Sequence, residues 1–71
     1  MKFYIEIRNE LGTFKGDLLE GTKDEYEGLL EQLSKFHMEP GYEMFLSDGS
    51  YFIMGPEVLK KSVVIVVVKE P

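Results

Sequence analysis

Residues 2–8, Lys-Phe-Tyr-Ile-Glu-Ile-Arg, decide the fold, because apolar and more polar side chains alternate along them without interruption. In an extended chain Phe3, Ile5 and Ile7 lie on one side, and the side chains between them lie on the other. The alternation predicts a β-strand with one buried face. The following segments are candidates for pairing with this strand and for covering its apolar face.

A hairpin partner for this strand follows directly. Asn9-Glu10-Leu11-Gly12 contains turn residues, and residues 13–19 can return as a second strand. Gly16 interrupts the returning strand, and a glycine inside a strand is typical of a bulge or of a close approach by other backbone. We therefore expect a β-hairpin with an irregularity at Gly16.

The middle of the chain has the pattern of an amphipathic helix. Thr22-Lys23-Asp24-Glu25 fits a capping box, in which the Thr22 hydroxyl accepts from the Glu25 amide and the Glu25 carboxylate reaches back to Thr22. Pro40-Gly41 ends the helix near Met38. The apolar and aromatic side chains that share one stripe are Tyr26, Leu29, Leu30, Leu33 and Phe36.

A second hairpin is predicted around Asp48-Gly49, which separates two apolar segments. A two-residue Asp-Gly connection favours a tight turn, because both turn positions need positive φ. Such a turn pairs Leu46 with Tyr51. One face of the hairpin then carries Tyr42, Met44, Leu46, Tyr51 and Ile53, and the other carries Phe45, Phe52 and Met54.

The last segment contains a short helix and a strand. Pro56 suits the first position of a helical turn, in which Val58 and Leu59 enter the core. Val63 to Val68 are six β-branched residues in succession, which is typical of a strand covered on both faces.

The order of these elements is β-β-α-β-β-β within residues 1–71. It predicts a single α+β domain in which one helix packs on a mostly antiparallel five-stranded sheet. The alternative is that the sheet curls into a small barrel with the helix across its mouth.

Composition limits the chemistry. The chain has no cysteine, which excludes thiolate nucleophiles, disulfides and cysteine zinc sites, and its one histidine is His37. Thirteen acidic and eight basic residues give a net charge of −5, which argues against a protein that binds nucleic acid directly by neutralising phosphates. We expect no enzyme activity, no cofactor or metal, no signal peptide and no membrane span, and a cytoplasmic location.

Apolar side chains on both faces of the predicted sheet suggest an interaction surface, since one helix covers only one face. Tyrosine and methionine are enriched in such surfaces. A chain this small is also expected to be marginally stable alone, which favours a homo-oligomer. Closure into a barrel is the alternative that hides the second face. The candidate interface residues are Tyr4, Tyr42, Met44, Tyr51 and Ile53.

Acidic residues in and before the helix form a second candidate surface. A row of carboxylates can imitate DNA phosphates and occupy a nucleic-acid-binding protein, although a charged helix face is also an ordinary solvated surface. The candidate residues are Glu20, Asp24, Glu27 and Glu31.

The chain resembles the small acidic accessory proteins of phages and prophages in three segments: Phe3-Tyr4-Ile5, Gly-Thr-Phe-Lys-Gly at residues 12–16, and residues 56–64. The resemblance implies a protein that works by binding, by blocking a host enzyme, neutralising a defence protein or sequestering a signal nucleotide.

The leading hypothesis is therefore a non-enzymatic homo-oligomer that occupies a host protein. One alternative is a nucleotide sequesterer that uses tyrosine stacking, with Lys15, Arg8 or Lys60-Lys61 binding the phosphates. A structural or assembly subunit is the other.

Overall fold

The computed structural model describes residues 1–69 and confirms the predicted α+β class. Within these 69 residues the strands divide between two antiparallel sheets and do not close into a barrel. The elements are β1 (Lys2–Asn9), β2 (Gly12–Lys15), β3 (Leu19–Glu20), α1 (Lys23–Leu33), a 3-10 turn (Phe36–Met38), β4 (Tyr42–Phe45), β5 (Tyr51–Met54), α2 (Pro56–Lys60) and β6 (Val63–Val68).

The main sheet is organised around β1, which is paired along both of its edges. On one edge it pairs with β6. On the other edge its first residues pair with β3 and its last residues pair with β2. Between the pairs Glu6–Lys15 and Phe3–Leu19, three residues of the returning strand face two residues of β1. The returning strand therefore contains a β-bulge of one extra residue, which is why β2 and β3 are separate.

Gly16 lies at the point where the two sheets meet. Its amide donates to the carbonyl of Ile5 at 2.8 Å, and it forms an isolated β-bridge with Leu46. A Cβ on Gly16 would lie 3.1 Å from the Ile5 carbonyl oxygen and 3.2 Å from the Met44 sulfur. The predicted close backbone approach at Gly16 is confirmed, and it places the β4–β5 hairpin against the end of β2.

The predicted capping box starts α1. The Glu25 amide donates to the Thr22 hydroxyl at 3.1 Å, and the Thr22 amide donates to the Glu25 carboxylate at 2.9 Å. The predicted end near Met38 is wrong, because α1 stops at Leu33 and the chain tightens into the separate 3-10 turn. That turn still brings Phe36 into the core.

The core lies between the main sheet on one side and α1, α2 and the β4–β5 hairpin on the other. The apolar face predicted for β1 lies at the centre of this core. Ile7 of β1 and Leu59 of α2 are fully buried. The buried residues of this cluster are Ile5, Ile7, Leu33, Phe36, Met54 and Leu59.

The β4–β5 hairpin has a different register from the predicted one. Phe45, not Leu46, lies opposite Tyr51. The Gly49 amide donates to the Leu46 carbonyl at 3.0 Å, and the Leu46 amide donates to the Ser50 carbonyl at 2.7 Å. The loop therefore has three residues, a tight turn followed by Gly49 at φ +92°.

Because side chains alternate along a strand, this one-residue difference in register moves the side chains of β5 to the opposite face relative to those of β4. The inner face carries Tyr42, Met44, Phe52 and Met54, and the outer face carries Glu43, Phe45, Tyr51 and Ile53. The predicted grouping of Tyr42 and Met44 with Tyr51 and Ile53 is thus wrong.

The strand β6 also differs from expectation. Within residues 1–69 it pairs with β1 alone, so it is an edge strand. Val64 and Val66 pack against the core but remain half-buried, and Val63 and Val68 are exposed. Within residues 1–69 neither face of β6 is fully covered, because residues 64–67 are all half-buried.

Replacing Gly49 by valine should destabilise the protein strongly, because a β-branched residue resists positive φ even where, as here, a Cβ has open space. Gly28→Ala is the matched control: a Cβ there also has open space, but the site is helical, so the change should stabilise by about 1 kcal/mol. Urea denaturation of both variants measures the two effects. Equal stability of Gly49→Val and wild type would contradict the turn geometry.

Candidate interaction surface

The five predicted interface residues do not form one surface. Tyr42 and Met44 are half-buried against the core. Tyr51 and Ile53 are exposed on the opposite face of the same hairpin, and Tyr4 lies on the main sheet, on the side away from the core.

The outer face of the β4–β5 hairpin groups three large apolar side chains that are exposed. We call Glu43, Phe45, Tyr51 and Ile53 the hairpin patch. Phe45 is 60% exposed, Tyr51 48% and Ile53 72%. Sequence reasoning missed Phe45 because the predicted register placed it with Phe52 and Met54 on the opposite face, and it made no prediction for Glu43.

Three side chains of the hairpin patch, Glu43, Phe45 and Tyr51, contact one another. Phe45 and Tyr51 face each other across the strands, with ring centroids 4.7 Å apart in an edge-to-face arrangement. The Tyr51 hydroxyl donates to the Glu43 carboxylate at 2.6 Å. This hydrogen bond raises the pKa of Tyr51 above its ordinary value, because losing the proton breaks the bond beside a negative charge.

An apolar cleft of about 200 Å³ adjoins the patch where the sheets meet. It is lined by Ile5 and Gly16 and also by Phe45, which belongs to the hairpin patch. The remaining lining residues are Asp17, Leu19 and Met44. The cleft is large enough for one apolar side chain of a partner.

The outer face of the main sheet contains a charged pair. Glu6 is only 3% exposed, and its carboxylate accepts from Arg8 Nε at 2.7 Å while Arg8 Nη2 lies at the same distance. Ile65 is opposite Glu6 on β6, and Lys15 is opposite it on β2. This face of the main sheet therefore carries charged side chains beside apolar ones, as the alternation in residues 2–8 predicted.

The predicted acidic residues are all exposed. Asp24, Glu27 and Glu31 lie along α1 at intervals of three and four positions, which puts them on one side of the helix. Glu20 lies apart from them on β3, opposite Lys2. The structure thus aligns three of the four predicted carboxylates.

His37 is engaged in holding the chain together. Its Nε2 lies 2.8 Å from the carbonyl oxygen of Ser62, and the Ser62 hydroxyl donates to the carbonyl of Val58 at 2.7 Å. The side-chain amide of Asn9 donates to the same hydroxyl at 3.2 Å. These contacts join the end of β1, the 3-10 turn and α2.

Among residues 1–69, no three or more histidine, aspartate or glutamate side chains are grouped so as to bind a metal ion. None of the helices in this part of the chain has the length and apolar character needed to cross a membrane. Comparison with protein-family models, with curated proteins and with solved structures gives no match to this chain.

The hydrogen bond in the hairpin patch can be tested by titration. The bond favours the neutral phenol in the folded state, so its stabilisation is present below the ordinary tyrosine pKa of about 10 and is lost as pH rises through the higher folded-state pKa. Glu43→Gln should move the pKa of Tyr51 back toward the ordinary value.

Tyrosinate absorbance measures this shift, and Tyr51→Phe identifies which titration step belongs to Tyr51. The identification is needed because burial also raises the pKa of Tyr42. An identical Tyr51 titration in wild type and Glu43→Gln would contradict the hydrogen bond.

Proposed function

We propose that this protein is a small non-enzymatic binding protein of the phage accessory type, which acts by occupying a host protein in the bacterial cytoplasm. The observation that carries the proposal is the hairpin patch. It combines two aromatic side chains and an isoleucine, all largely exposed, with a carboxylate.

Adjacency distinguishes this patch from ordinary surface residues. Single exposed apolar side chains are common on folded proteins, but groups of them on one face are typical of interaction sites. Phe45 and Tyr51 are held by their mutual contact and by Glu43, so little side-chain freedom is lost when a partner binds. Preordered aromatic residues of this kind are common binding hot spots.

The charge and apolar character of the hairpin patch indicate what kind of partner surface would fit it. The Glu43 carboxylate and the net charge of −5 favour a partner with a basic border around an apolar centre. The cleft beside Phe45 can accept one apolar side chain from that partner. The aligned carboxylates of α1, at Asp24, Glu27 and Glu31, are a second acidic contact available to a basic protein.

The experiment compares two variants that both place a glutamate at an exposed apolar site. Ile53→Glu changes the hairpin patch, whereas Leu11→Glu changes a 73% exposed side chain in the turn between β1 and β2. Immobilised wild type and Leu11→Glu should retain the same bacterial protein, and Ile53→Glu should lose it at least tenfold while its circular dichroism is unchanged.

Retention that is equal in all three proteins would place the binding surface elsewhere. A wild-type protein that retains no bacterial protein would contradict the proposed function.

A shallow depression on the main sheet supports a second candidate function, sequestration of a nucleotide signal. Its lining residues are Tyr4, Lys15, Gly16, Leu18, Ser47 and Lys69. A tyrosine ring can stack on a base, and lysine ammonium groups bind phosphates.

Thermal shift with nucleoside polyphosphates tests this candidate. If the depression binds them, the melting temperature of wild type rises with ligand concentration and that of Lys15→Ala rises much less. Lys23→Ala, an exposed lysine on α1, is the control and should behave as wild type does. An unchanged melting temperature in wild type would rule out sequestration.

A further inference from the structure

The free edge of β6 presents unpaired backbone groups. The Lys69 amide donates to the carbonyl of Lys2 at 2.8 Å, which fixes the hydrogen-bonding alternation along this pair of strands. The amides and carbonyls of Val64, Val66 and Val68 consequently point away from β1. Among residues 1–69, no strand pairs with that edge.

This edge lacks the features that usually protect an edge strand from pairing. Proteins block such edges with charged residues, prolines, bulges or very short strands. The strand β6 is six residues long, contains only valine and isoleucine, and keeps a regular register with β1 throughout. It is therefore suited to accept another strand.

The core is also open along this edge. Val64 and Val66 point toward the core and contact it, yet both remain half-buried. Val68, on the same face, is 42% exposed. A strand added beside β6 would cover these three side chains and extend the core.

We propose that the added strand is β6 of a second copy, paired antiparallel about a two-fold axis at Val66. A two-fold axis places the same surface on both sides, so the two strands match in length, and within residues 64–68 every cross-strand pair is between valine or isoleucine residues. A continuous antiparallel sheet then runs through both subunits.

The free backbone groups determine the register of this pairing. With Val66 opposite Val66 of the partner subunit, Val64 lies opposite Val68 of the partner subunit, and all three free residues form hydrogen bonds. A shift toward α2 would require the backbone of Ser62, whose amide already donates to Leu59 and whose carbonyl already contacts His37. The inference does not depend on the hairpin patch, which lies on the other sheet.

Single cysteine variants test the register, because the chain contains no cysteine of its own. Two residues paired across the axis have Cα atoms about 5.5 Å apart, within the range for a disulfide. Under mild oxidation Val66→Cys should form a covalent dimer. Val64→Cys, on the same strand and face, should not, because its two copies would lie roughly 14 Å apart.

A proline at the same position tests the backbone pairing. Val66→Pro removes an amide that points to the free edge and keeps the hydrogen bonds between β6 and β1, which is where edge strands tolerate proline. Sedimentation of wild type should give twice the mass of the 8.2 kDa chain, and Val66→Pro should give the mass of one chain. Val66→Thr, which keeps the amide, should remain dimeric.

Three results would overturn the proposal. The first is a monomeric wild type at high micromolar concentration. The second is equal cross-linking of Val66→Cys and Val64→Cys, which would indicate random collisions. The third is a folded Val66→Pro variant that stays dimeric, which would assign association to another surface. If Val66→Pro fails to fold, the cysteine pair decides.

Discussion

The pairing of β1 along both edges is the constraint on which the rest of the structure depends. The strands β2, β3 and β6 all join the main sheet through β1. The inner face of β1 contributes Phe3, Ile5 and Ile7 to the core, and the position of Gly16 against Ile5 determines where the second sheet attaches. Both edges of β1 are paired within the chain, and buried side chains lie on both of its faces, Ile7 on the inner face and Glu6 on the outer face.

The features that could be predicted from the sequence are those determined by neighbouring residues. The strand at residues 2–8, the capping box at Thr22 and the proline that starts α2 each involve only a few positions, and each is found as expected. The prediction that β1 buries one face only is wrong, because Glu6 on the opposite face is also buried. The irregularity at Gly16 was also predictable, because few positions in a strand favour glycine unless another backbone comes close.

The candidate site could not be predicted to the same extent, because it depends on a choice that the local residues leave open. Gly49 suits a two-residue turn and a three-residue turn equally well, since both need positive φ at that position. The three-residue loop moved Tyr51 and Ile53 away from Tyr42 and Met44 and next to Phe45. Similarly, a run of β-branched residues does not reveal whether the second edge of β6 is paired within the chain or left open.

The pairing of β1 with β6 also has a consequence for the folding kinetics. Phe3 lies opposite Val68, so contacts between these strands join the two ends of the described chain and close a long loop. Local elements such as the β1–β2 hairpin and α1 can form early, but the main sheet is complete only after β6 reaches β1. High contact order of this kind is associated with folding in milliseconds to seconds, not microseconds. During that interval one edge of β1 is unpaired, and encounters between unfinished chains compete with the correct arrival of β6.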